Sequence, residues 1–75
     1  MEYKDVLAYY LNKQGITPAE LARRIDSPRS TIHALLIGRA KEPTLGKAKM
    51  IADALGVSLD EMANMVYENQ NEEEE

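Results

Sequence analysis

Cysteine is missing from this 75-residue chain, which excludes a disulfide framework and any thiolate metal site. Its absence suits a reducing compartment. Long apolar runs are missing too. No stretch approaches membrane-spanning length, and the opening Met1-Glu2-Tyr3-Lys4-Asp5 lacks the apolar centre of a signal peptide. No segment alternates apolar and polar residues with β-branched enrichment, so strands are not expected. Histidine occurs once, as His33. A metal site needs several ligands at fixed spacing, and His33 has no such companions. Catalysis needs a base, a nucleophile and an orienting group converging in a pocket. Ser30 and His33, one helical turn apart, do not make up that set. The expectation is therefore no enzyme, no cofactor and no metal, in a soluble cytoplasmic protein that makes no membrane contact.

What is present amounts to one domain. A chain this short buries a limited share of its surface, so its core alone gives modest stability, and association often makes up the shortfall. Thirteen acids against nine bases leave a net charge of −4, but the charge is unevenly placed. Glu68, Glu72, Glu73, Glu74 and Glu75 crowd the last eight residues, and without them residues 1–67 carry +1. Between Arg23 and Lys49, seven bases face only Asp26 and Glu42, a local balance of +5. Such a run is commonly a solvated face. It gains meaning only if a fold gathers the bases on one side.

Helix signals repeat along the whole chain. Val6, Leu7, Tyr10 and Leu11 stand at helical spacing over about Tyr3 to Gln14, with Gly15 as a left-handed stop. Tyr3, Tyr9 and Tyr10 are expected to pack on or cover the core. Thr17-Pro18-Ala19-Glu20 reads as a capping box with proline at the first helical position, opening a short helix with Leu21, Ala22 and Ile25 inside. Ser27-Pro28-Arg29 opens the next, with Ser27 as its cap. It runs to about Ile37, turns Ile32, Leu35 and Leu36 inward and stops at Gly38. Arg39 to Pro43 is a loop, because Pro43 disfavours helix at Glu42. Thr44 caps a fourth helix carrying Leu45, Ala48, Ile51, Ala52 and Leu55, and Gly56 ends it. Ser58-Leu59-Asp60-Glu61 is a second capping box, opening a fifth helix with Leu59, Met62, Ala63 and Val66. Past Tyr67 the chain is too polar and charged to fold by itself. The expected architecture is all-α: a five-helix domain over 1–67 and a disordered acidic tail over 68–75.

The second and third segments are about eight to ten residues each, joined by almost no linker around Asp26-Ser27. Two short helices joined so closely must pack at a steep angle. Ala22 is small enough to let the axes approach, with Ile25, Ile32 and Leu35 filling the wedge. The outer side of the third segment then projects from the body. Gly15-Ile16-Thr17, Glu20-Leu21-Ala22, Arg29-Ser30-Thr31-Ile32 and the run Ile51-Ala52-Asp53-Ala54-Leu55-Gly56-Val57-Ser58-Leu59-Asp60-Glu61 resemble, in order and spacing, the phage repressor and Cro-like (XRE) helix-turn-helix family. The resemblance covers residues 3–66. The chain departs from the family pattern at five positions. Asp26 stands where glycine is usual in the turn, and Asp tolerates a left-handed backbone. Ser27 replaces an apolar turn residue, and Pro18 a frequent glutamine. Leu11 and Leu36 occupy positions where many members pair arginine with glutamate, so an apolar contact is expected in place of a buried ion pair.

The resemblance implies sequence-specific binding of double-stranded DNA by a small prokaryotic or phage transcriptional regulator, expected to repress. The third helix would read the major groove through Arg29, with Ser30, His33 and Ala34 beside it and Pro28 and Ile37 at its margins. Phosphates would be met by Thr17, Thr44 and the amides after them, and by Arg39, Lys41 and Lys47. Arg23, Arg24 and Lys49 would at least add to the field. Met62, Met65, Val66 and Tyr67 exceed what one small core needs and are candidates for a homodimer interface on a palindromic site. Covering the subunit's own core is the plainer alternative. The acidic tail is open to three readings: an inert solubilising end, a competitor of phosphate, or a dock for a protein partner. A regulator of this kind would be cytoplasmic and nucleoid-associated when bound. The alternative is an antitoxin-type or other protein-interaction module on the same fold.

Overall fold

A computed structural model describes residues 1–67 in full and the backbone alone for 68–74. It contains, in order, α1 (Tyr3–Gln14), α2 (Pro18–Arg24), α3 (Arg29–Leu36), α4 (Leu45–Leu55) and α5 (Leu59–Glu74), with no strand among the described residues. No helix of the described residues is long and apolar enough to cross a membrane. The disordered tail expected over 68–75 lies outside the fully described residues.

Local chemistry sets most helix ends. Gly15 takes φ +66° and Gly56 φ +73°, and each closes its helix with paired bonds. Ile16 N–H reaches the Leu11 carbonyl at 2.9 Å and Val57 N–H the Ala52 carbonyl at 3.0 Å. The capping boxes form on one side only. Thr17 Oγ1 accepts from the Glu20 amide at 3.1 Å, and Ser58 Oγ from the Glu61 amide at 3.0 Å. The carboxylates turn elsewhere: Glu20 pairs with Arg24 at 2.7 Å, and Glu61 meets the Tyr10 hydroxyl at 3.5 Å.

The start of α3 differs from expectation. Its cap is Pro28, not Ser27, and makes no side-chain bond. Pro28 is extended, at φ −64° and ψ 148°, and its carbonyl accepts the Thr31 amide at 3.1 Å. Ser27 Oγ instead receives a hydrogen bond from the Lys47 ammonium. With Ser27-Pro28 in the turn, α2 has seven residues, one below the expected range, and α3 eight, at its lower bound.

The core is continuous across all five helices. Val6, Leu7, Leu21, Ile32 and Ile51 are wholly buried, and Tyr3, Tyr10, Leu11 and Leu55 join them. Leu36 is half-buried and packs against the cluster that includes Leu11, so the positions of the family's ion pair share one apolar core. Met62 and Val66 also belong to this core, at 2% and 3% exposure. Spaced four residues apart, they form the inner stripe of α5 and serve mainly the subunit's own core, which corrects that part of the expected interface. Tyr67 is exposed and Met65 half-buried. Tyr9 is exposed but covers the core edge, its ring meeting that of buried Tyr10 at 5.1 Å. One apolar side chain expected at the core lies outside it: Leu45 is 76% exposed because no element covers the first turn of α4. The Tyr3 hydroxyl is buried without a partner among the described residues, and burial pushes its pKa up to about 12.

Candidate nucleic-acid interface

The turn between α2 and α3 is built around Asp26. Its backbone is left-handed, at φ +55°. The Asp26 amide reaches the Arg23 carbonyl at 3.2 Å and the Ser27 amide the Ala22 carbonyl at 2.9 Å, satisfying the last carbonyls of α2. Ala22 is buried at 1% exposure. Ile25, Ile32 and Leu35 are buried in the same cluster, which fixes one side of α3 against the body.

The other side of α3 is open. Pro28, Arg29, Ser30, His33 and Ile37 are exposed, as the sequence leads one to expect. Ala34 is only half-buried, and its carbonyl accepts the Ala40 amide at 3.1 Å, tying the following loop to the helix. A cleft lies on each flank. One, of about 440 Å³, is lined by Thr17, Pro18, Ala19, Arg29, Ser30 and His33. The other, of about 210 Å³, includes Thr31, Ala34, Ala40, Pro43, Thr44 and Lys47. The fold thus brings Thr17 and Thr44, 27 positions apart in the chain, to the two flanks of one helix. Each hydroxyl accepts a bond from its own helix, Thr44 from the Lys47 amide at 3.4 Å, and keeps its O–H to donate outward.

The cations divide into two groups. Arg29, Arg39 and Lys41 are exposed and, among the described residues, pair with no carboxylate. Arg23 behaves likewise. Lys47 is half-buried and tied to Ser27. Arg24 is committed to the fold: besides Glu20 it donates to the Ala54 carbonyl at 3.3 Å. Gln14 Nε2 donates to the Leu55 carbonyl at 2.6 Å. Together they satisfy the end of α4, where a cation suits the helix dipole. Lys49 pairs with Asp53 at 2.9 Å on the surface. The i,i+4 spacings of Glu20–Arg24 and Lys49–Asp53 are visible in the sequence and mark these two cations as engaged. Nothing in the sequence marks Gln14.

Comparison with known proteins agrees with this geometry. Residues 7–62 match the family described as helix-turn-helix. Over 64 residues the chain is 39% identical to Repressor protein C of Rhizobium phage 16-3. That alignment covers 85% of this chain but 24% of the phage protein, so the chain spans about a quarter of its relative's length. No solved structure matches the chain. The match takes in α2, the Asp26 turn and α3 as one block, with most of the core that supports them. The protein belongs to the helix-turn-helix family, in its phage-repressor, XRE-type branch.

Proposed function

We propose that this chain binds double-stranded DNA in a sequence-specific manner and regulates transcription, acting as a repressor. The observation that carries the reading is α3, with Ile32 and Leu35 buried while Arg29, Ser30 and His33 stand exposed between two clefts. A helix so held fits a major groove. Arg29 lies in the first turn, where the helix dipole disfavours a cation, and that placement supports a role toward an anionic or electronegative partner. Its guanidinium donates to guanine O6 and N7, worth ~1–3 kcal/mol of discrimination. Ser30 and His33 meet neighbouring base edges or phosphate, Ala34 a thymine methyl, and Pro28 and Ile37 the margins. Thr17, Thr44, Arg39, Lys41 and Lys47 meet phosphates, Lys47 from the cleft it shares with Thr44.

Two copies sit on a palindromic site with their reading helices ~34 Å apart, touching through surfaces other than Met62 and Val66. The protein works in the cytoplasm, on the nucleoid when bound. The repressor relative favours regulation over an antitoxin-type module.

The test is selection of bound sites from random duplexes by the wild type and by Arg29→Ala. The variant is expected to lose its preference at one position in each half-site. Arg39→Ala and Lys41→Ala should instead weaken all sequences alike, each lowering the salt slope by about 1. Failure of the wild type to hold any duplex at low salt would sink the reading.

A further inference from the structure

Between α4 and α5 lies an apolar groove of about 320 Å³, separate from the two clefts beside α3 and sharing with one of them only Glu42 and Pro43. Ala48, Met62, Ala63 and Val66 line it, and Leu45 and Tyr67 stand exposed beside it. Its volume lies at the low end for sites that hold small organic groups, enough for one or two side chains but not a whole helix. The charged residues lining it are Glu42 and Asp60, both acids, and no Lys, Arg or His joins them. The Tyr67 hydroxyl donates to the Glu42 carboxylate, linking α5 to the loop before α4.

Charge selects the occupant. From Leu59 to Glu74, α5 carries six acids (Asp60, Glu61, Glu68, Glu72, Glu73 and Glu74) and no base. A second copy docked by two-fold symmetry would set this acidic helix against itself, which charge repulsion opposes. A purely apolar ligand would fill the floor but leave the negative charge of Glu42 and Asp60 uncompensated, since the Tyr67 hydroxyl bound to Glu42 is neutral. An apolar side chain flanked by Lys or Arg meets both demands. We propose that this groove docks a partner protein through a basic amphipathic segment, one apolar anchor entering between α4 and α5 while its neighbouring cations face Glu42 and Asp60. The proposal stands apart from DNA reading and is tested without DNA.

The experiment uses the full chain and a fluorescein-labelled helical peptide that presents a Leu and Phe face flanked by lysines. A twin peptide carries glutamate in place of each lysine. Fluorescence anisotropy in dilute buffer is expected to show binding of the lysine peptide and none of the twin. Backbone amide shifts should concentrate at Leu45, Ala48, Ala63 and Tyr67. Leu45→Ala, whose side chain is exposed, should fold as the wild type does and bind roughly tenfold more weakly, the loss of about two buried methylene groups. Glu42→Gln should weaken binding roughly two- to fivefold, as for one exposed ion pair, and serves if the first variant melts early. Equal binding of the two peptides, no binding of the lysine peptide, or shifts centred elsewhere would each overturn the proposal. So would a sedimentation mass of two chains without peptide that Leu45→Ala returns to one, since the groove then holds a second copy.

Discussion

Asp26 is, among the described residues, the one non-glycine with a left-handed backbone, at φ +55°. The turn depends on that conformation, because it lets the Asp26 and Ser27 amides close back on Arg23 and Ala22 at 3.2 and 2.9 Å. Most L-residues lose roughly 1–2 kcal/mol there, from the clash of Cβ with the following carbonyl, and Asp loses less. Glycine avoids the clash but gives up roughly 0.4–1 kcal/mol through a freer unfolded chain. The clean comparison is therefore Asp26→Gly with Asp26→Ala, since both remove the carboxylate. Glycine should be the more stable by about 1 kcal/mol, which in a domain of this size separates the melting temperatures by ~4–8 °C. Both variants also lose an anion at the end of α2, a position the helix dipole disfavours by ~0.3–1 kcal/mol, so Asp26→Gly should equal or exceed the wild type. Thermal melts followed by circular dichroism, at one protein concentration and without DNA, measure the difference. If Asp26→Ala melts at or above Asp26→Gly, the left-handed turn is not what joins the two helices.

Two further substitutions probe the scaffold. Ala22 is 1% exposed where α2 and α3 cross, so Ala22→Leu should overfill the crossing and cost about 1–3 kcal/mol, read as a lower urea midpoint; an unchanged midpoint would mean the helices do not approach closely. Tyr3→Phe deletes a buried hydroxyl that lacks a partner among the described residues, and should leave stability at neutral pH unchanged or up to about 1 kcal/mol higher. With Tyr3 raised from 10.0 to about 12, the folded state keeps a proton that the unfolded chain releases in that window. The wild type should therefore lose stability as pH rises from 10 towards 12, and Tyr3→Phe should flatten the loss. Parallel slopes for the two proteins would refute this placement of the hydroxyl.

Much of the architecture was legible because it is local. The extent of α1 follows from its spacing and the glycine after it, and the stops at Gly15 and Gly56 follow from glycine's ease with positive φ, while α3 is closed by Ile37, one residue before the left-handed Gly38. The outward residues of α3 follow from helical period alone. The misreadings share a cause. Ser27 has the chemistry of a cap, but its hydroxyl goes to Lys47, 20 positions away. Met62 and Val66 looked surplus to one core, because helix period shows a stripe without showing what lies opposite it. Leu45 sits at a core spacing but has nothing above it.

Helix order, helix stops and the unequal spread of charge were set by the chain itself, since capping, backbone sterics and periodicity act within a few residues. Which cations stay available, which apolar side chains are covered, and how Thr17 and Thr44 come to flank one helix depended on tertiary structure. Those outcomes rest on contacts between distant segments, such as Arg24 with Ala54 and Gln14 with Leu55, and each forms only once the helices have packed.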